Sequence, residues 1–199
     1  MQGIATNDTD IWIVDSRQDR VYLYTGAASR LSGSQSAASN FALNSGNKDA
    51  TDLVTDGTSI WVLNNSSTDK VFKYTVSGTL QGSWTISGGG SSPTGLTIDP
   101  TNVNNIWIVD SATDRVYQFD ATASRTSGSQ SPSTSFTLAS GNSNPQGIAD
   151  PPVAGGQRSE VGGQEARSTA RSTSASSAEN DSALLMWLTE DLLTTNRRK

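Results

Sequence analysis

A chain of 199 residues with 14 Lys and Arg against 19 Asp and Glu carries a net charge of −5. That balance excludes the concentrated positive field on which phosphate recognition depends, so nucleic acid is not an expected partner. Cysteine and histidine are both absent, which removes disulfides, thiolate metal sites, the commonest general base and the commonest transition-metal ligand.

The predicted elements recur as one unit written three times. The first strand, 3–6, opens at Gly3 and ends at the turn Asn7-Asp8. The second carries Ile11-Trp12-Ile13-Val14, and a Ser/Gln/Asp turn leads to Arg20 and a third strand, Val21-Tyr22-Leu23-Tyr24. A long connection through Ser32-Gly33-Ser34-Gln35-Ser36 precedes a fourth strand at 40–43. The second unit is more divergent. It opens at 52–55, with Asp52 in the place of glycine, and runs through Ile60-Trp61-Val62-Leu63, Val71-Phe72-Lys73-Tyr74 and 80–86. The third returns to the first at an offset of 95 positions: 95–99, Ile106-Trp107-Ile108-Val109, Val116-Tyr117-Gln118-Phe119, Ser127-Gly128-Ser129-Gln130-Ser131 and 135–138. Pro145-Gln146-Gly147-Ile148-Ala149 then repeats Gln2-Gly3-Ile4-Ala5 and opens a fourth unit.

The second strand decides the architecture. Four apolar residues in a row mean both of its faces are covered, whereas a half-exposed strand alternates. Four short strands per unit, both faces buried and a period in the forties describe a β-propeller blade stacked between neighbours. The expected fold is all-β: about three four-stranded antiparallel blades plus the start of a fourth. A transmembrane barrel is the rival, but its strands of about 10 residues alternate strictly, and no run here approaches the ~18 apolar residues of a membrane helix.

Propellers have four to eight blades, so three leave an apolar face at each end. Leaving about 400–500 Å² of such a face wet forgoes roughly 10 kcal/mol. Three outcomes are expected: continuation of the ring by further blades of a longer protein, self-association, or poor solubility. The chain starts and stops at the same Gln-Gly-Ile-Ala element, which favours a truncated segment.

Pro93-Thr94-Gly95-Leu96-Thr97-Ile98-Asp99, Ile106-Trp107-Ile108-Val109-Asp110 and Asp114-Arg115-Val116-Tyr117-Gln118-Phe119-Asp120 together resemble the NHL repeat. The resemblance covers residues 2–150 and is weaker in the second unit, where Lys70 replaces Arg, Asn64 replaces Asp and Asp52 replaces Gly. It implies propeller blades and leaves function open, since members range from protein and RNA binding to lyase activity. A streptogramin-lyase-like enzyme would need a histidine. A metal-dependent lactonase site would need a carboxylate cluster including Glu, and all 13 acidic residues up to position 150 are Asp.

Candidate sites are few. Asp15, Asn64 and Asp110 end the second strand of each unit. They read either as a ring of oxygen ligands for a polar ligand, or as turn caps paired with Arg20, Lys70 and Arg115. Trp12, Trp61 and Trp107 read as core, and so does Trp84 in a fourth strand. Asn7-Asp8-Thr9-Asp10 reads as a plain turn, since it lacks the spacing of a calcium loop. The Ser-Gly-Ser-Gln segments read as rim recognition loops or as solvated filler. No catalytic residue, metal or cofactor is assigned.

Residues 151–181 are rich in Gly, Ser and Arg and read as a disordered linker, residues 182–193 as a short amphipathic helix, and 194–199 as a tail. The functional expectation is a non-enzymatic binding module with an unknown protein or carbohydrate partner, part of a larger extracytoplasmic bacterial protein. The alternatives are a propeller enzyme and a truncated product without activity. Low charge and a turn-rich polar surface set the expectation of an extracellular or periplasmic location, although the first residues carry no leader signature.

Overall fold

The computed structural model describes residues 1–99 and 102–149. The linker, helix and tail expected at 151–199 lie outside the described residues.

Three antiparallel sheets follow one another along the chain. The first blade is β1 (Gly3–Thr6), β2 (Ile11–Asp15), β3 (Arg20–Tyr24) and β4 (Ser39–Ala42), in that spatial order. The second is β5 (Ala50–Thr55), β6 (Ser59–Asn64), β7 (Lys70–Thr75) and β8 (Leu80–Ile86). The third is β9 (Pro93–Ile98), β10 (Ile106–Asp110), β11 (Arg115–Phe119) and β13 (Thr134–Thr137). A two-residue strand, β12 (Ser129–Gln130), belongs by sequence to the third blade but pairs parallel to β8 on the outer edge of the second. Among the described residues no helix is long and apolar enough to cross a membrane.

The expected continuous apolar run is explained by two cores, one on each side of the central blade. Ile60 and Val62 of β6 enter a cluster with Ala5, Trp12, Val14 and Val21 of the first blade. Trp61 and Leu63, pointing the other way because strand side chains alternate, enter a cluster with Leu96, Ile106, Ile108 and Phe119 of the third. Each large side chain buried in this way contributes about 1.5–3 kcal/mol. We call the side of a blade that meets the preceding one its front face and the opposite side its back face.

The blades meet closely at their inner strands. A Cβ added to Gly3 would lie 2.8 Å from Asp52 Cα, and one added to Gly95 would lie 2.7 Å from Gly147 Cα. The repeated glycine is thus a demand of close backbone approach. Thr51 and Thr94 sit at register shifts in β5 and β9, and each hydroxyl donates to a carbonyl of the next unit, Pro93 O at 3.1 Å and Pro145 O at 2.7 Å. The extra residue of a bulge turns a side chain out of the pleat, here toward the next blade.

Candidate functional site

Asp15, Asn64 and Asp110 close the second strand at the same end of successive blades, opposite Arg20, Lys70 and Arg115 across the ladder. Asp15 Oδ1 accepts the Arg17 amide at 2.9 Å. Asp110 is fully buried: Oδ1 accepts from the amides of Ala112 and Thr113 and from the Thr113 hydroxyl, and Oδ2 accepts the Ser92 amide at 2.6 Å. Asn64 Oδ1 accepts the Asp49 amide, and its Nδ2 donates to Ser66 Oγ. Asp15 and Asp110 cap their own turns, whereas Asn64 ties the end of β6 to the residue before β5. The expected ion pairs do not form. Arg20 donates instead to Asn40 Oδ1, and Arg115 to the hydroxyls of Ser135 and Thr137. A carboxyl folded back on its own turn leaves the long guanidinium to span to the outer strand.

Asp8 takes a left-handed backbone (φ 69°) in a turn capped by Asn7 Oδ1, which accepts the amides of Thr9 and Asp10, so this segment is the plain turn expected of it. Among the described residues no group of three or more acidic side chains gathers as a metal site would require.

Asp52 is different. It occupies the inner-strand position that is glycine in the other units, with the first blade against it at Gly3. Its Oδ2 accepts the Leu96 amide of the third blade at 2.9 Å, and its Oδ1 accepts the Leu53 amide at 2.8 Å. Burial pushes this carboxyl up to about 7, outweighing the two amide donors that pull it down. It is a carboxyl poised near neutrality, held between blades. Asp69 is also raised, by burial and then by the charge of Asp110 in the next blade, against the pull of the Ser66 amide.

The second feature is apolar. On the front face of the first blade, Ile4, Ile11, Ile13, Tyr24 and Leu31 line a shallow hollow of about 450 Å³. Ile4 is 63% exposed, whereas Leu53 and Leu96, its counterparts in the next two blades, are each 2% exposed. Ile11 and Ile13 are part-exposed, and their counterparts Ile60, Val62, Ile106 and Ile108 are fully buried. On the back face of the third blade, Trp107 is only half-buried and lies against Phe136, ring centroids 6.5 Å apart. The expectation that Trp107 is core like Trp12 and Trp61 is therefore corrected. Among the described residues no complete sheet covers that face. Trp84 is core, packed on Phe119 of the next blade.

No protein-family pattern and no curated protein sequence matches the chain. Solved structures do. Hydrazine synthase of Kuenenia stuttgartiensis superposes at a TM-score of 0.51 with 13% identity, over 73% of this chain and 37% of its own. A Bacteroides caccae protein of unknown function gives 0.47 and 11%, over 69% and 46%, and glutaminyl cyclase of Myxococcus xanthus gives 0.47 and 9%, over 65% and 51%. The chain thus spans about half the length of these structures or less. The fold is propeller-like.

Within that propeller, Asp15 and Asp110 fold back on their own turns while Asn64 reaches to Asp49, and the roles of Asp52 and of the 127–130 segment were not read from the sequence. Asp52 was visible as a departure from glycine, but its burial needs the neighbouring blades. The 127–130 segment is neither a rim loop nor filler. It is the strap that carries β12 onto the second blade, with Ser83, Thr85 and Ser87 amides donating to Thr126, Gly128 and Gln130 carbonyls at 3.0, 2.9 and 2.8 Å. Its recurrence in odd-numbered units was the only signal.

Proposed function

We propose that this chain is an interaction module: an NHL-like arc of propeller blades that works by docking a protein surface onto its free faces and catalyses no reaction. The observation that carries this reading is the exposure of Ile4 at a position buried in both other blades. An apolar blade face of this kind marks a binding surface on a soluble protein. Asp110 and Asp52 each have both carboxylate oxygens engaged by main-chain amides, which ties them to structure and supports a non-catalytic role.

The test is dye binding by the full chain. An environment-sensitive dye such as anilinonaphthalene sulfonate should bind, and Ile13→Asp, at the centre of the open face, should abolish most of that signal while leaving the far-ultraviolet circular dichroism unchanged. No dye binding by the unaltered chain would refute the reading. The alternative, a propeller enzyme of lyase or lactonase type, has one observation in its favour: a carboxyl titrating near neutrality suits acid–base chemistry. Calorimetric titration with calcium or zinc would favour that alternative if it showed a tight stoichiometric site that Asp52→Asn removes.

A further inference from the structure

The strap of the third blade has a twin. Residues 31–35 of the first blade match residues 126–130 except that Leu31 stands for Thr126, and the two glycines, Gly33 and Gly128, share the same left-handed φ of 79°. The loops that launch the straps are tucked in alike, Ala28 N donating to Thr9 O and Ala123 N to Asn104 O. In the third blade the strap is engaged by the second. Three carbonyls receive the amides of Ser83 and Thr85 in β8 and of Ser87 just after it, and Ala123 O accepts both Trp61 Nε1 at 3.0 Å and Lys73 Nζ at 2.9 Å. In the first blade, among the described residues, no donor reaches the carbonyls of Ala28, Leu31, Gly33 or Gln35, and Leu31 is 98% exposed.

Resting on the interaction-module reading, we propose that this strap and the hollow beside it form a docking site for one kind of partner. That partner is a propeller blade of the second blade's type, which presents a tryptophan and a lysine on its back face and an outer strand ready to accept a parallel fifth strand. Strand addition of this sort takes affinity from main-chain hydrogen bonds and specificity from the side chains beneath.

Two features exclude a second copy docking through its third blade. The strap backbone passes so close to β8 that a Cβ on Gly82 would fall 2.2 Å from Thr126 O. Gly82 lies opposite Lys73, and the residue opposite the equivalent Gln118 in the third blade is Thr134, whose Cβ stands in the strap's path. The inner-strand edge of the third blade's back face is also already occupied. Gly147 sits against Gly95 just as Asp52 sits against Gly3, so residues 145–148 hold the place of the next inner strand.

Two experiments decide the matter. First, in the full chain, Thr126→Leu gives the third blade the strap sequence of the first. Amide hydrogen exchange at Ser83, Thr85 and Ser87 should stay within about 3-fold of the unaltered protein, and loss of that protection would overturn the proposal. Second, residues 49–92 are duplicated ahead of Met1, so that a blade of the second type precedes the first. The appended copies of Ser83, Thr85 and Ser87 should exchange at least about 10-fold more slowly than in the same extension carrying Gly82→Val in the appended copy, and dye binding at the front face should disappear. Appending residues 91–141 instead should give neither effect; if it gave both, a third-type blade would serve and the proposal would fall. Should the appended blade not fold, the Thr126→Leu result decides alone. A chain that binds dye but gains nothing from the appended blade sinks this proposal and leaves the interaction module standing. A chain that binds no dye sinks both.

Discussion

Replacing Asp52 by Asn should remove a specific pH dependence of stability. In the unfolded chain this carboxyl titrates at 3.8, and in the folded protein burial raises it to about 7. Between those values the unfolded state gives up its proton while the folded state keeps it, so rising pH favours unfolding. This group's contribution is therefore most favourable below pH 3.8, falls as pH rises through the window to about 7, and is level above it. The ceiling is about 4 kcal/mol, at 1.36 kcal/mol per pH unit of displacement. Asp52 keeps some exposure, and solvent screening reduces that ceiling, so about 2 kcal/mol is the expected swing. Asn keeps one acceptor oxygen and leaves one of the Leu53 and Leu96 amides unmet. That loss costs about 1–3 kcal/mol at every pH, so the readout is the slope rather than the absolute stability. Urea unfolding followed by tryptophan fluorescence at about pH 4.5, 6 and 7.5 would measure it. The unaltered protein should lose about 2 kcal/mol relative to Asp52→Asn across that range. Parallel pH profiles for the two proteins would refute the reasoning, as would a carbon-13 titration placing the Asp52 carboxyl near 4.

Other outcomes follow from the interfaces between blades. Gly82→Ala forces a side chain into the strap carbonyl and should destabilise by about 2–3 kcal/mol in urea unfolding, with faster exchange at Thr85 and Ser87. Trp61→Phe should cost about 1 kcal/mol more than Trp12→Phe in the same assay. Trp61 donates to Ala123 O, whereas the buried Trp12 Nε1 has no hydrogen-bond partner among the described residues. Thr94→Val, which keeps the shape and removes the hydroxyl donated to Pro145 O, should cost about 1 kcal/mol. An unchanged midpoint there would show that residues 145–149 are held without it.

Much was legible in the sequence because the causes are local or periodic. The four-apolar runs at Ile11, Ile60 and Ile106 announce strands covered on both faces, whatever lies beyond them, since side-chain direction alternates along any strand. The spacing of repeats forces the blades to stack, because no single blade can hide its two apolar sides. The capping roles of Asp15 and Asp110 were readable for the same reason: an Asx bond reaches only two or three residues along the chain. Tertiary structure alone decided what depends on which blade stands next to which. Identical residues at Ile11 and Ile106, or Trp12 and Trp107, differ in burial because one has a neighbouring sheet against it and the other does not. Asp52 becomes a near-neutral acid only through desolvation by the inner strands around it. The strap at 126–130 becomes a strand only because β8 presents free amides and a glycine at the right height. Burial and strand pairing are set by distant segments brought together, and a sequence records those segments without recording their adjacency.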